Sequence, residues 1–420
     1  MTTTRPKGTN DFLPEDTVKW QYVESVLREL ALCYGFEELR TPIFESTELF
    51  LRGVGETTDI VNKEMYTFED KGGRSITLRP EGTASSARAL IEHKLYGGPL
   101  PVKLWYTGPM FRYERPQKGR FRQFHQFGVE AFGSQDPALD AEVISFAMSF
   151  YETLGLRGLE VRLNSVGCPK CRKEHKEKLQ EALRPVLGEL CADCQSRFEK
   201  NPLRIFDCKN EHCQELIAGA PTILDCLCDE CHDHFEKVKT YLTGAGIPFH
   251  IDSHLVRGLD YYTKTAFEIL LSDIGAQSAI CGGGRYDGLI QDLGGPDTYG
   301  VGFALGMERV FSAMEAQGLS FPQRPRCDVY FVALGDDAKK SMFPILTTLR
   351  KEGIKGEIDF MGRSLKAQMK AADRVHARYA VIAGEEELKN NEMILRDMTD
   401  KSQANIKIED MKEELIRRIK

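Results

Sequence analysis

Two neighbouring stretches carry charged and amide side chains at alternate positions of what otherwise looks like β-strand sequence. Phe111-Arg-Tyr-Glu114 precedes a basic turn, and Phe124-His-Gln-Phe-Gly-Val-Glu130 follows it. Because alternate residues of a strand share a face, Arg112, Gln126 and Glu130 are expected to converge on one side of an antiparallel sheet. The alternative interpretation is simple ion pairing on an exposed sheet face.

A third polar segment, Leu78-Arg-Pro-Glu-Gly-Thr83, ends a predicted strand. Glu81 and Thr83 lie where a strand would give way to a helix. Capping of that helix by the carboxylate is the simplest role for such an acid. A role in ligand binding remains the alternative.

Two glycine-rich segments lie further along the chain. Cys281-Gly-Gly-Gly-Arg-Tyr-Asp-Gly288 comes soon after a polar stretch, 256–268, and its glycines could let the backbone approach a ligand while Arg285 and Tyr286 supply contacts. In Gly300-Val-Gly-Phe-Ala-Leu-Gly-Met-Glu-Arg309, close packing at the glycines would leave Arg309 projecting from a helix. Neither segment has the spacing of a phosphate-binding P-loop, and an ordinary glycine turn is the alternative.

The elements that would position these residues follow from hydrophobic periodicity. Residues 17–34 have helical spacing and end at Gly35, and a basic hairpin loop over 113–122 is predicted from Pro116 and Gly119. After the linker 321–325, alternating strand and helix patterns over 326–420 predict parallel βαβ units in a small separate domain. The first 322 residues would form a larger domain interrupted by an insertion rich in Cys, Lys and Glu. The predicted divisions are 1–160 with 250–322, 161–249, and 326–420.

Composition places the chain among ordinary globular proteins. Its 420 residues are 41% hydrophobic and 28% charged, which argues against extensive disorder, and the length favours two or three domains. No stretch reaches the roughly 18 apolar residues that span a bilayer, and the first residues lack the apolar core of a secretory signal. We therefore expect a cytoplasmic protein with no membrane association.

The 12 cysteines are too dilute for a disulfide scaffold, but they cluster in the predicted insertion. Cys168, Cys171, Cys191 and Cys194 form two Cys-x₂-Cys pairs, the spacing of a structural zinc site. Further cysteines follow at 208, 213, 226, 228 and 231. A structural zinc ion remote from the chemistry is one interpretation, and free cysteines packed as small apolar groups are the other.

In combination, the motifs resemble those of class II aminoacyl-tRNA synthetases. The segment 111–114 with its basic loop resembles motif 2, 300–309 resembles motif 3, and Gly-Phe-Glu-Glu-Leu-Arg-Thr-Pro at 35–42 resembles motif 1. Leu-Val-Arg-Gly-Leu-Asp-Tyr-Tyr at 255–262 and the segment 281–288 resemble the two histidine-specific motifs of the histidyl-tRNA synthetase family. The resemblance covers nearly the whole chain.

This resemblance implies a fold and an activity. The expected fold is an α+β catalytic domain on an antiparallel sheet, a mostly helical Cys-rich insertion and a C-terminal α/β anticodon-binding domain. The expected reaction joins L-histidine to ATP as histidyl-adenylate and then transfers histidine to the 3′ end of tRNA(His). Mg²⁺ would accompany ATP. Motif 1 further implies a homodimer.

The resemblance also assigns roles to individual residues. Charge building up on the α-phosphate is best met by fixed guanidinium groups, and Arg112 and Arg257 would be the catalytic pair. ATP would be held by Arg112, Glu114, Arg120 and Arg309. Histidine would be held by Glu81, Thr83, Gln126, Glu130, Arg257, Tyr261, Tyr262 and Tyr286.

Some alternatives remain open. Arg120 could contact ATP or, with Arg115, Lys118 and Arg122, the phosphates of tRNA. A catalytically silent relative that serves as a histidine-responsive regulatory subunit would lose active-site residues and the C-terminal domain, and a pure RNA-binding module would have no use for ATP-contacting arginines. The arginines and the tail over 326–420 are present here, which favours the enzyme.

Overall fold

The computed structural model describes residues 3–55, 58, 60–116, 120–271, 279–322 and 327–420. The chain forms two compact units, Met1–Phe321 and Pro322–Lys420. Three residues of the predicted basic loop, Gln117, Lys118 and Gly119, and most of the predicted linker lie outside the described residues.

The first unit is built on a large mixed sheet. Its strands are β1 (Glu37–Glu38), β2 (Phe44–Ser46), β3 (Tyr66–Glu69), β4 (Ser75–Leu78), β5 (Val102–Phe111), β6 (Gln123–Phe132), β7 (Leu159–Ser165), β8 (Phe249–Ile251), β9 (Thr263–Leu271), β10 (Ala279–Arg285) and β11 (Gly300–Gly306). Within the described part of the chain, eight of them form one sheet in the order β1-β5-β6-β11-β10-β9-β7-β8, and β2-β4-β3 form a smaller sheet. Only the outer pairs β1–β5 and β7–β8 of the large sheet are parallel. The predicted antiparallel catalytic sheet is confirmed.

The helices of this unit are α1 (Pro14–Cys33), α2 (Thr47–Val54), α3 (Thr83–Glu92), α4 (Pro137–Thr153), α5 (Pro169–Leu183), α6 (Ala192–Lys200), α7 (Glu211–Ile217), α8 (Asp229–Gly244), α9 (Leu289–Asp292) and α10 (Met307–Ala316). One face of the sheet packs against α1, α4 and α10 through a core that includes Val23, Phe127, Phe146 and Phe303. The apolar side chains of β6 therefore face this core, and its polar side chains face the opposite side of the sheet, as the alternating sequence predicts.

Glycines on the opposite face make room for polar side chains. In the sheet register Gly128 lies opposite Tyr106, and Gly302 lies opposite Glu130. A Cβ atom at Gly128 would overlap the Tyr106 ring, and one at Gly302 would overlap the Glu130 carboxylate. The glycines are needed because large polar side chains cross the face of the sheet at these positions.

Between β7 and β8 the described chain is helical, with α5 to α8 joined by short 3₁₀ turns. A mostly helical, Cys-rich segment is therefore present. The predicted start of the insertion at residue 161 falls within β7, and its boundaries stay a prediction.

The second unit is an α/β sandwich. It comprises β12 (Val329–Ala333), α11 (Asp336–Lys351), β13 (Gly356–Ile358), α12 (Leu365–Arg374), β14 (Tyr379–Ala383), α13 (Glu385–Lys389), β15 (Glu392–Asp397), β16 (Gln403–Lys407) and α14 (Met411–Ile419). The strand order is β13-β12-β14-β15-β16, with the first three parallel as predicted. The antiparallel hairpin β15–β16 and α14 extend this pattern. Among the described residues, no helix combines the length and apolar character required to cross a bilayer.

Candidate active site

A cleft of about 290 Å³ opens over the polar face of β6, β11 and β10, at the start of α10. The sheet register brings the motif segments of the sequence to this one place. The cleft is lined by Arg112, Glu114, Arg120, Phe121, Phe124, Gln126, Arg257, Glu268, Ala279, Ile280, Cys281, Gly282, Ala304, Gly306, Glu308 and Arg309.

Glu130 is the centre of a buried polar cluster on the same face of β6. Thr83 Oγ1 donates a hydrogen bond to its Oε1 at 2.6 Å, Tyr106 Oη donates to the same oxygen at 3.2 Å, and Tyr286 Oη donates to Oε2. Burial raises the pKa of Glu130 to about 8, although the hydrogen bonds from Thr83 and Tyr286 oppose this shift. The cluster is fixed in geometry and removed from water, as a recognition pocket requires.

Glu81 caps helix α3. Its Oε2 accepts a hydrogen bond from the Thr83 amide and its Oε1 accepts one from the Ala84 amide, both at 2.8 Å. Burial raises the pKa of Glu81, and these amide donors oppose the shift. The capping interpretation of Glu81 is therefore confirmed, and a contact with a ligand stays a prediction.

Three tyrosines pack together beside Glu130. The ring centroids of Tyr261 and Tyr262 are 4.7 Å apart, and those of Tyr261 and Tyr286 are 5.5 Å apart. Burial raises the pKa of all three phenols, so each stays a neutral hydroxyl over the physiological pH range. Neutral hydroxyls can both donate and accept, which suits an imidazole ring.

Arg257 lies deep in the cleft beside Glu268. Its Nη1 donates to Glu268 Oε1, and its guanidinium carbon is 5.7 Å from the Tyr262 ring centroid. Burial alone would lower the pKa of Arg257, but Glu268, Tyr262 and Cys281 together outweigh burial and the net shift is upward. A Cβ atom at Gly282 would overlap the guanidinium, so the glycine of β10 leaves the space that Arg257 fills.

Two buried polar atoms of this region have no hydrogen-bond partner within the described protein: Gln126 Oε1 and Arg257 Nε. Leaving a buried donor or acceptor unsatisfied costs roughly 1–3 kcal/mol. Both side chains line the cleft, and a polar ligand would supply the missing partners.

Positive charge gathers at the outer part of the cleft. Arg112 Nε donates to the Pro80 carbonyl at 2.9 Å, and Arg120 Nη1 pairs with Glu114 Oε2 at 2.9 Å. Burial and, after it, the nearby Arg120 guanidinium lower the pKa of Arg309. Like charges held together in this way favour a polyanion as their partner.

The structure therefore brings the predicted site residues together in two adjoining layers. Arg112, Glu114, Arg120, Gln126, Arg257 and Arg309 line the cleft. Glu81, Thr83, Glu130, Tyr262 and Tyr286 are buried beside it, with Tyr261 packed against the last two. The roles that the sequence assigns to them stay predictions.

Arg285 does not face the cleft, contrary to the interpretation of the glycine-rich segment. It is fully buried, and its guanidinium contacts both oxygens of Asp140 on α4 and Oδ1 of Asp287 at 3.2 Å. Successive residues of a strand point to opposite faces, and Tyr286 directly follows Arg285 at the end of β10, so the two side chains cannot both reach one ligand. Arg285 joins the sheet to α4 instead.

This buried pair gives a prediction about stability. Burial alone would raise the pKa of Asp140, but Arg285 and His234 together outweigh burial and lower the pKa to about 2. Asp140→Asn leaves the buried Arg285 guanidinium with only the Asp287 carboxylate of this pairing and is expected to cost about 3 kcal/mol of unfolding free energy, measured by urea denaturation. Because the folded-state pKa lies below the ordinary value of 3.8, the stabilisation is present above pH 3.8 and is lost as the pH falls towards 2. Glu174→Gln, which disrupts an exposed helical pair with Lys178, is the control and should change little.

Three residues of the site were not singled out from the sequence. Tyr106 contacts Glu130 from β5, Glu268 pairs with Arg257, and Glu308 accepts hydrogen bonds from the His125 amide at 3.0 and 3.1 Å. Glycines at 82 and 128, against which the Tyr106 ring lies, are the sequence signal that marks its position.

The four cysteines predicted to share one zinc site do not lie together. Cys168 and Cys171 group with Cys228 and Cys231, which we call thiol group A. Cys191 and Cys194 group with Cys208 and Cys213, which we call thiol group B. The prediction of one site is wrong in its grouping because each Cys-x₂-Cys pair is completed by cysteines later in the chain.

Comparisons with known proteins agree with this geometry. A sequence model described as histidyl-tRNA synthetase matches residues 8–310, and one described as anticodon binding domain matches residues 328–418. The chain is 61% identical over 421 residues to a histidine--tRNA ligase of Desulfitobacterium hafniense, covering 100% of this chain and 99% of the relative. It is 58% identical over 411 residues to the histidine--tRNA ligase of Desulforamulus reducens, covering 98% of each. The crystal structure of apo S. aureus histidyl-tRNA synthetase superimposes with a TM-score of 0.85 at 44% identity, covering 99% of this chain and 100% of that one.

Proposed function

This chain belongs to the histidyl-tRNA synthetase family, and on that premise we propose that it is a histidine–tRNA ligase, which activates L-histidine with ATP and transfers histidine to tRNA(His). The observation that carries the proposal is the junction of the two layers at Arg257. On one side lies a buried pocket of neutral hydroxyls and a carboxyl group, and on the other a row of guanidinium groups. An amino acid and a nucleoside triphosphate would meet between them.

We assign the inner layer, the buried residues beside the cleft, to histidine. Glu130, held by Tyr286 and Thr83, would meet the imidazole ring together with Tyr261 and Tyr262. Glu81, Thr83 and the free Oε1 of Gln126 would meet the ammonium and carboxylate end. A pocket whose buried polar groups need partners rejects apolar amino acids of similar size, because those groups would be left unpaired.

We assign the outer layer, the residues that line the cleft, to ATP. Arg112 would bind the α-phosphate, Arg257 would lie between that phosphate and the histidine carboxylate, and Arg309 would hold the outer phosphates. The proximity of Arg120 to Arg309 supports its assignment to ATP as well. Glu114 and Glu268 are carboxylate oxygen donors in the same cleft, a ligand type that suits Mg²⁺, and the ion would neutralise charge on the polyphosphate.

In the first step a carboxylate oxygen of histidine attacks the α-phosphorus of ATP. The bond from that phosphorus to the bridging oxygen of the β-phosphate breaks, and pyrophosphate leaves with the electron pair. An α-carboxyl group is already ionised near neutral pH, so this step needs no general base. The guanidinium groups stabilise charge that builds up on the phosphate, and they do so in a site partly closed to water.

In the second step a ribose hydroxyl at the 3′ end of tRNA(His) attacks the histidyl carbonyl carbon. AMP leaves and the hydroxyl proton is released. The basic loop with Arg115 and Arg122 would guide the tRNA end, and the unit Pro322–Lys420 would bind the anticodon. We propose that this reaction takes place in the cytoplasm, where these substrates are used for protein synthesis.

We further propose a homodimer. The sheet β2-β4-β3 follows the motif 1 segment, and its side chains Ile43, Phe44 and Phe68 are 44%, 56% and 48% exposed. Large apolar side chains clustered on a surface mark an interaction site, and a second copy of the chain would cover them. Light scattering after size exclusion would give a mass near twice 47.5 kDa. A monomer mass would reject the dimer.

The experiment that tests the function is ATP–pyrophosphate exchange with each amino acid in turn. Exchange that requires histidine is expected. A folded protein that binds histidine without exchange would instead be a histidine-responsive regulatory subunit, and the proposal would fall.

A further inference from the structure

Thiol groups A and B account for eight of the twelve cysteines, and the proposed reaction uses none of them. In each group the four Sγ atoms all lie within 4.8 Å of one another. The sulfurs of Cys168 and Cys171 are 3.5 Å apart, those of Cys168 and Cys228 are 3.9 Å apart, and in group B those of Cys191 and Cys208 are 3.8 Å apart.

These separations match a metal site better than a disulfide or chance packing. Four sulfurs bound at about 2.3 Å to a tetrahedral zinc ion lie about 3.8 Å from one another. A disulfide would require about 2.05 Å. Packing of free thiols as small apolar groups gives no reason for four sulfurs from two separate segments to meet at this spacing twice.

The backbone around both groups is arranged for thiolates. Cys168, Cys191 and Cys228 each lie at the residue that precedes a helix, and the second cysteine of each pair follows in the first turn. The Cys228 amide donates to Cys171 Sγ and the Cys191 amide donates to Cys213 Sγ, both at 3.2 Å. Amide donors directed at sulfur stabilise the thiolate, the form that binds metal.

We propose that each thiol group binds one zinc ion through four cysteines, and that the two ions fix the segment 253–262, which carries Arg257 and Tyr262. Each thiol releases its proton when it binds the ion. The inference about metal stands independently of the proposed function, whereas the inference about the segment rests on it.

Group A is connected to this segment through Arg172, the residue after Cys171. Its Nη2 donates to the Tyr262 carbonyl, and its Nε donates to the Val166 carbonyl at 3.1 Å. The ion at group A would set the first turn of α5 and so the position of Arg172. A zinc ion there would therefore be connected to the histidine pocket, whereas the sequence analysis expected an ion remote from the chemistry.

Group B is connected to the same segment at three of its residues. Asn201, which follows α6, donates from Nδ2 to Asp260 Oδ1 at 3.1 Å. The Phe206 ring stacks on His254 with centroids 4.7 Å apart, and Val256 packs into the apolar cluster that contains Cys194 and Cys213. Loss of the metal would loosen these contacts and, through them, the positions of Arg257 and Tyr262.

Zinc content of the purified full chain, measured by mass spectrometry of the metal, is the first test. About two zinc ions per chain are expected, one for each thiol group. Cys168→Ser with Cys228→Ser should leave about one, and so should Cys191→Ser with Cys208→Ser. Cys226→Ala, a buried cysteine of the same helical segment outside both groups, and Cys33→Ser should leave both ions in place.

A variant that fails to fold does not end the test, because the wild-type chain can be depleted and reloaded with Co²⁺. Two tetrahedral tetrathiolate centres should then give sulfur-to-cobalt charge-transfer absorption that saturates at about two Co²⁺ per chain. A metal content near zero, zinc that persists unchanged in the serine variants, or iron in place of zinc would overturn the proposal.

The kinetics of histidine use test the second part of the proposal, that the two ions fix the segment 253–262. In a folded variant that lacks either ion, the KM for histidine is expected to rise about tenfold while the KM for ATP stays within about twofold. Contacts that hold the binding residues of a site in position typically contribute 10–100-fold. Equal changes in both KM values would reject the link to the segment 253–262 while leaving the zinc sites intact. Absence of exchange already in the wild type would count against the proposed function alone.

Discussion

Arg257→Ala is expected to lower the rate of histidine-dependent ATP–pyrophosphate exchange by about 10²–10³-fold in a chain that still folds. The guanidinium lies between the two layers of the cleft, with its Nε unsatisfied and its Nη1 fixed by Glu268. Fixed donors directed at charge that develops in the transition state are the largest single contribution in many enzymes, and removing one typically costs about 10²–10³ in rate. Stopped-flow or exchange measurements with saturating histidine and ATP would give the number.

A second variant tests whether the position of this guanidinium matters as well as its presence, and a third variant is the control. Gly282→Ala keeps Arg257 but places a methyl group where its guanidinium lies, and a decrease in the same direction is expected. Arg88→Ala is the control, because Arg88 pairs with Glu45 and Glu92 away from the cleft and should leave exchange nearly unchanged. Near-normal exchange in folded Arg257→Ala would remove Arg257 from the catalytic assignment.

Glu130→Ala is expected to raise the KM for histidine about 10–100-fold and to change the KM for ATP little. Glu130 accepts hydrogen bonds from Thr83, Tyr106 and Tyr286, so its removal leaves buried hydroxyls without their acceptor and the imidazole ring without its partner. Leaving a buried hydrogen-bonding group without its partner costs about 1–3 kcal/mol, which spans this range. Steady-state exchange with each substrate varied in turn measures both constants.

Glu130→Gln separates charge from shape at the same position. Glutamine fills the space and keeps an acceptor oxygen, so a smaller loss of histidine affinity than in Glu130→Ala is expected. Circular dichroism and thermal unfolding would show that both variants fold. Equal increases in the KM values for histidine and ATP would reject Glu130 as a contact of the ring.

Local patterns in the sequence were enough to predict that three polar residues of the site converge, whereas the other site residues were assigned through the family resemblance. The alternation over 111–114 and 124–130 predicts a hairpin, and the period of two places Arg112, Gln126 and Glu130 on one face. The same reasoning predicts the parallel strands of the second unit, because strands that alternate with helices favour βαβ connections.

Features that depend on the pairing of distant segments were not accessible in this way. Arg285 was interpreted as a ligand contact because it follows three glycines that could let the backbone approach a ligand, whereas its partner Asp140 lies 145 residues earlier. The thiol groups were misgrouped for the same reason, since the spacing within a pair is local but the choice of the second pair is set by the fold. Tyr106 was missed because a tyrosine in a strand has no local mark of function, and only the glycines packed against it give its position.

Charging of tRNA(His) with radiolabelled histidine, in the presence of ATP and Mg²⁺, tests directly whether this chain is a histidine–tRNA ligase. We predict that the wild-type chain forms histidyl-tRNA, that a tRNA of another identity is not charged, and that Arg257→Ala is slowed at adenylate formation. Binding of histidine and ATP by the folded chain without formation of histidyl-tRNA would show that the chain does not have this activity.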